Sequence, residues 1–115
     1  MNNSAAHSKL VNQLLVELSK IDGCKVWKQH SGKFKTLYDS FISIGVDGWS
    51  DIGGIIMCQS GKGITLQIEV KTGTGKLDDR QRAWRNMIIS HGGCHIIARE
   101  RLKTIANVME YMKNN

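Results

Sequence analysis

The segment from Ile64 to Lys71, ITLQIEVK, constrains the fold of this chain most, because apolar and polar residues alternate along it without a break. Successive side chains of a strand point to opposite faces. Ile64, Leu66, Ile68 and Val70 therefore share one face, and Thr65, Gln67, Glu69 and Lys71 the other. The preceding run, Ile52 to Gln59, is apolar and β-rich apart from Gly53-Gly54, and SGKG at 60–63 supplies a turn between the two. The pair predicts an antiparallel hairpin.

The other elements follow from periodicity and punctuation. Leu10, Leu14 and Ile21, joined by Val11, Leu15 and Leu18, form one helical stripe, which predicts an amphipathic helix from about 5 to 21, ended by Asp22-Gly23. Residues 24–30 read as a strand, SGKFKTLYDS at 31–40 as a basic turn or loop, and FISIG at 41–45 as a second short strand. After the TGTGK loop, Asp78 and Gln81 have the spacing of a capping box, and Trp84, Ile88 and Ile89 give a helix its buried face as far as about Ser90. Gly92-Gly93 stops it. CHIIA at 94–98 reads as a buried strand, and Leu102, Ile105, Met109 and Met112 mark a terminal helix. The expected order is helix, three or four strands, helix, strand, helix, in a single α/β domain over residues 1–115.

Composition narrows the class. Apolar residues make up 41% and charged residues 23%, as in ordinary globular proteins rather than disordered chains. No apolar run approaches the roughly 20 residues of a membrane helix, and MNNSAAHSKL lacks the regions of a signal peptide. The expectation is a soluble cytoplasmic protein without a membrane partner. Cys24, Cys58 and Cys94 are odd in number and contain no CxxC pair, so free thiols are expected.

The formal net charge is +6, from 16 Lys and Arg against 10 Asp and Glu, which favours a polyanionic partner. No acidic residue lies between Asp22 and Asp39, where Lys25, Lys28, Lys33 and Lys35 fall, and a second basic group follows in Lys71, Lys76, Arg80, Arg82 and Arg85. A basic face that is merely solvated is the alternative. Trp27, Phe34 and Trp49 are candidates to stack on unpaired bases or to fill a core, and Phe34, between two lysines, best suits stacking.

Strand alternation sets Glu69 and Lys71 side by side, about 7 Å apart. Folding back through SGKG brings Asp51 near Lys71, to within a residue or two of register. Adjacent carboxylates repel unless a cation lies between them, and hard oxygen ligands suit magnesium or manganese. A neighbouring lysine can steady an attacking water or the charge growing on a phosphate oxygen. From spacing alone, a salt-bridge cluster at a sheet edge accounts for the same residues.

Asp51 followed by Glu69-Val70-Lys71 resembles the core motif of the PD-(D/E)XK nuclease superfamily. More closely, GVDGWSDIGGI, IEVKTGTGKLDDRQRAW and HGGCHIIA resemble, in order, the VRR-NUC family, which includes stand-alone virus-type nucleases and the nuclease domain of the Fanconi-associated nuclease. The likeness covers roughly residues 24 to 98. It implies a restriction-endonuclease-like αβββαβ core, a central mixed sheet flanked by helices. It makes Asp51, Glu69 and the Val70 carbonyl ligands of Mg2+, with Mn2+ as substitute, and Lys71 the catalytic lysine. Glu17 would take the place of a glutamate that borders the metal site from the first helix, or else flank the stripe and reach solvent. Gln81 would help position Lys71, a water or a phosphate, unless the capping box claims it. Ser50 stands where the superfamily motif has proline, a replacement common in the resembled family.

Other motifs fail. GTGKL lacks two residues of a phosphate-binding loop, with Val70 and Leu77 at the positions that need Gly and Ser or Thr. DGWSDI has Ile52 and Cys58 where a calcium loop needs Gly and Glu. His91, Cys94 and His95 lack a fourth ligand and zinc spacing. The expectation is a metal-dependent, structure-specific DNA endonuclease without organic cofactor. Its phosphate contacts would come from Lys28, His30, Lys33, Lys35 and Lys76. Stand-alone members of the resembled family look like dimeric Holliday-junction resolvases, so a homodimer on branched DNA is expected. A flap nuclease, an RNA-directed nuclease and a non-catalytic nucleic-acid-binding module are the alternatives.

Overall fold

The computed structural model describes residues 4–30 and 32–115, with the side chains of 32–34 and 42–44 outside the description. The elements run α1 (Ser4–Leu18), β1 (Cys24–Lys28), β2 (Gly32–Lys35), β3 (Phe41–Ile44), β4 (Ile52–Met57), β5 (Gly63–Val70), α2 (Asp79–Ser90), β6 (Cys94–Ala98) and α3 (Arg101–Asn114). A four-stranded mixed sheet has the order β1-β4-β5-β6, with β1, β4 and β5 antiparallel in turn and β6 parallel to β5. No described helix is long and apolar enough to cross a membrane.

The alternation of β5 sorts the two faces of this sheet. Leu66, Ile68 and Val70 pack with Ile52 and Ile56 of β4, Cys94 and Ala98 of β6, and with Leu10, Val11, Leu14 and Leu18 of α1 and Val108 of α3. This is the apolar core. The opposite face, beneath α2, is buried too, but by polar residues: Gln67, Glu69 and His95. Each must find a partner there, because an unpaired polar group in the interior is costly. Gln67 Oε1 accepts from Gln29 Nε2 at 3.0 Å, and Gln67 Nε2 donates to Thr65 at 3.1 Å. Gly53 makes room for this arrangement, since a Cβ there would run into the Gln29 amide. Cys24, Cys58 and Cys94 are buried and free, as expected.

Two expectations need correction. The first helix stops at Leu18 rather than near 21. The bonds from Lys20 N to Glu17 O (3.2 Å) and Ile21 N to Leu18 O (3.1 Å) tighten the chain into three-residue turns while Ile21 keeps its place against the core. Secondly, SGKFKTLYDS is only in part a turn: residues 36–40 turn, but Gly32–Lys35 forms β2, paired antiparallel with β3 in a separate two-stranded sheet, from Gly32↔Ile44 to Lys35↔Phe41. Four residues are too few for alternation to stand out from a basic loop.

Candidate active site

The hairpin register decides what Asp51 can reach. Ile52 pairs with Ile68, so Asp51, one residue earlier, lies across from Glu69. This is within the two-residue latitude about Lys71 that the sequence allowed. Asp51 Oδ2 accepts from the Val70 amide at 2.8 Å, which fastens the carboxylate across the open end of the hairpin. Val70 and Lys71 are held from the other side by β6, where Lys71 N donates to Ala98 O at 2.9 Å. Asp51, Glu69, Val70 and Lys71 thus line one cavity of about 420 Å³, together with Ser4, His7, Ser8, Thr72 and Gln81. A larger cavity, about 690 Å³ between α2, β6 and α3, holds none of the expected catalytic residues.

Glu69 is 5% exposed. Burial, then the negative charge of Asp51, raises its pKa to about 8, against the pull of Lys71, whose Nζ is 4.0 Å from Glu69 Oε1. One lysine at that distance does not balance two facing carboxylates, so Glu69 keeps its proton at neutral pH unless another cation joins the pair. Among the described residues no three His, Cys, Asp or Glu side chains are grouped as a metal cluster. The candidate donor set is two carboxylates and the Val70 carbonyl. Its chemistry, hard oxygen from two facing carboxyl groups and a carbonyl, fits a divalent cation such as Mg2+ or Mn2+.

Gln81 forms the capping box and also reaches the candidate site, where it meets Glu69 rather than Lys71. Its Oε1 accepts from Asp78 N at 3.0 Å while Asp78 Oδ1 accepts from Gln81 N at 2.9 Å, completing the capping box of α2. Its Nε2 donates to Glu69 Oε1 at 3.0 Å. The side chain is shared, one end to each function.

Ser50, in the motif's proline position, is buried with its hydroxyl 3.4 Å from His95 Nε2. Arg85 Nη1 lies 2.9 Å from His95 Nδ1 and also donates to the His95 carbonyl at 3.1 Å. Guanidinium only donates, so Nδ1 is the acceptor and the ring proton sits on Nε2, toward Ser50. This chain of contacts braces the residue next to Asp51.

Glu17 does not join the site. It pairs with Arg101 at 3.4 Å and lines no part of the cavity. The stripe of Leu10 and Leu14 was read in the wrong direction: carried back one turn it reaches His7, whose Nε2 lies 3.3 Å from Asp51 Oδ2. Ten residues of helix separate the two, about 15 Å along the axis. His7 is the residue the sequence reading missed, and its spacing from Leu10 was the available signal.

Of the expected phosphate contacts, Lys28, His30, Lys35 and Lys76 are exposed, and Lys35 pairs with Asp39 at 2.7 Å. The side chains of Lys33 and Phe34 lie outside the described residues. Trp49 is half-buried and packs against Gly45, a structural role, whereas Trp27 is largely exposed. No family model, curated protein or solved structure matches this chain.

Proposed function

We propose that this protein is a divalent-metal-dependent DNA endonuclease acting on branched DNA. The observation that carries the reading is the buried Glu69 carboxyl set against Asp51, with Lys71 Nζ 4.0 Å from Glu69 Oε1, in a cavity open to solvent. A salt-bridge cluster at a sheet edge would not bury a carboxyl to the point of keeping its proton. The VRR-NUC resemblance of the same residues supports the reading. So does the chain order of the main-sheet elements: with β2–β3 set aside as an inserted hairpin, α1, β1, β4, β5, α2 and β6 follow the αβββαβ order that the resemblance implies. The free cysteines suit a cytoplasmic setting.

Asp51, Glu69 and the Val70 carbonyl would hold Mg2+ or Mn2+, which when bound would neutralise phosphate charge and lower the pKa of a water. The chain's own groups do the rest. The Val70 amide fixes Asp51 Oδ2 and Gln81 fixes Glu69 Oε1, so both carboxyl groups are held at the cavity wall. Lys71, mostly buried, presents its ammonium where charge grows on the phosphate oxygen in the transition state. The first turn of α1, which brings Ser4 and Ser8 to the cavity wall, adds a positive dipole end favourable to a phosphate.

One such site cuts one strand, so a homodimer would pair two nicks across a four-way junction, and this is the preferred reading of substrate. The test is incubation of the wild type, Asp51→Asn, Glu69→Gln and Lys71→Ala with a four-way junction, a flap, linear duplex and single strand, with and without magnesium or manganese. Metal-dependent cutting that each substitution lowers by about a hundredfold or more is expected. Symmetric paired nicks mark a resolvase and a single nick beside the branch a flap nuclease. Salt-sensitive binding with no cutting under either metal identifies a non-catalytic binding module and overturns the reading.

A further inference from the structure

The β2–β3 hairpin stands off from the main sheet, yet its base is clamped to the candidate site. Gln29 N donates to Asp51 O at 2.9 Å, and Gln29 Nε2 to Ser50 O at 3.0 Å. Gly45, at φ +86°, closes the other foot: a Cβ there would meet the His30 carbonyl at 2.7 Å and the Trp49 ring at 2.8 Å. From this base the arm extends outward. The radius of gyration is 15.0 Å and the longest dimension 49 Å, where a compact chain of this length would have a radius of about 13 Å.

The far end is locked and bare. Thr36 N donates to Ser40 O at 2.7 Å, and Thr36 Oγ1 lies 2.8 Å from Ser40 Oγ and accepts from Tyr38 N at 3.2 Å. The turn so fixed presents Leu37, 100% exposed, and Tyr38, 90% exposed, with Phe41 also exposed just behind them. Large apolar side chains held outward on a short turn have no folding role. The chain leading to the tip is basic, with Lys25, Lys28, Lys33 and Lys35 and no acidic residue between Asp22 and Asp39, with which Lys35 pairs at 2.7 Å.

We propose that this hairpin reads the branch of a DNA substrate: Leu37 and Tyr38 wedge against the base pair exposed at the branch point while the lysines along the arm hold phosphates. The inference rests on the nuclease reading for its place in catalysis. Basic flanks complement a polyanion, and an aliphatic side chain beside an aromatic one supplies the wedge and stacking surface by which proteins hold unstacked bases. The five steps from Gly32 to Leu37 span about 17 Å, or about five nucleotides at 3.4 Å per step. The arm therefore sets the distance between branch and cut.

The test compares wild-type tip, Leu37→Ser/Tyr38→Ser and Leu37→Met/Tyr38→Phe, all carrying Lys71→Ala to block cutting, on four-way junctions, forks and linear duplex with 2-aminopurine at the branch base. The wild-type tip should raise 2-aminopurine fluorescence and favour branched DNA. The serine pair should lose the signal and about tenfold of that preference while linear-duplex affinity holds. The Met/Phe pair should restore both. With Lys71 intact, cuts should fall about five nucleotides from the branch and scatter in the serine pair. A serine pair that keeps signal and preference overturns the proposal. So does one that dissociates a dimer in sedimentation without changing branch preference, since a second copy would then be what the tip grips. If no substrate is cut yet the fluorescence change depends on the tip, the nuclease reading fails and the branch-reading arm stands.

Discussion

Gln81 donates its Nε2 hydrogen to Glu69 Oε1 at 3.0 Å while its own carbonyl oxygen caps the start of α2, so one amide ties the helix to the candidate site. Two substitutions separate these roles. Gln81→Ala loses both, and melting should fall by the equivalent of about 1 kcal/mol for the cap. Gln81→Glu keeps an oxygen for Asp78 N but sets a third carboxylate against Glu69. It should fold nearly as well as wild type yet cut DNA markedly more slowly. Melting curves and single-turnover cleavage on the same preparations decide this. A Gln81→Glu protein with wild-type activity would make the contact with Glu69 incidental.

Glu69 supplies a second expectation. Its folded pKa of about 8 lies above the ordinary carboxylate value of 4.5, so the folded protein binds the extra proton between those values. Stability must then fall as pH rises from about 4.5 to about 8, because the ionised form is the one disfavoured by folding. Glu69→Gln keeps the shape and an oxygen for Gln81 without the charge. Without metal it should melt higher than wild type at pH 8 and about equally at pH 4.5. Added Mg2+ or Mn2+ should raise the wild-type melting temperature at pH 8 and leave the variant unmoved. Equal metal stabilisation of both proteins would exclude Glu69 as a ligand.

How far the site was legible depends on the range of the signal. Asp51, Glu69 and Lys71 could be brought together on paper because strand alternation and one tight turn are local, and a register error of a residue or two keeps them at the same end of a hairpin. The capping box was legible for the same reason, although its attachment to Glu69 depends on where α2 lies over the sheet. Glu17 misled because a helical stripe identifies a face and not a position along the axis; the packing of α1 set His7 rather than Glu17 beside Asp51. In the sequence His95 belonged only to a zinc motif that fails and Arg85 only to a basic group, and it takes the parallel pairing of β6 with β5 to reveal them as a buried brace. The β2–β3 arm was hidden by its shortness and its charge.

His95 gives the acid-side prediction. Burial, then the charge of Arg85, lowers its pKa from 6.5 to about 4. The neutral ring is the folded form, so its contribution is complete above pH 6.5 and is lost as pH falls through that value toward 4. The full loss is about 3 kcal/mol. His95→Gln can still accept from Arg85 and donate to Ser50 without titrating. The difference in unfolding free energy between wild type and His95→Gln should therefore shift against the wild type by that order between pH 7 and pH 4. Denaturant titrations at several pH values measure it, and a difference that stays constant would mean that His95 does not titrate in this window.

His7 and Glu17 offer a paired comparison, since both lie on α1 and each contacts a charged residue, but only His7 faces the cavity. His7→Ala removes a contact with Asp51 Oδ2 and should slow metal-dependent cleavage by about ten- to a hundredfold, the usual cost of losing a group that orients a metal-binding carboxylate. Its melting temperature should change little, because the side chain is partly exposed. Glu17→Gln breaks a half-exposed pair with Arg101 and should leave cleavage within about twofold of wild type. The contrast matters more than either value. A helix merely loosened by substitution would lose activity in both variants along with stability, whereas a site bordered by the first turn of α1 responds to His7 alone.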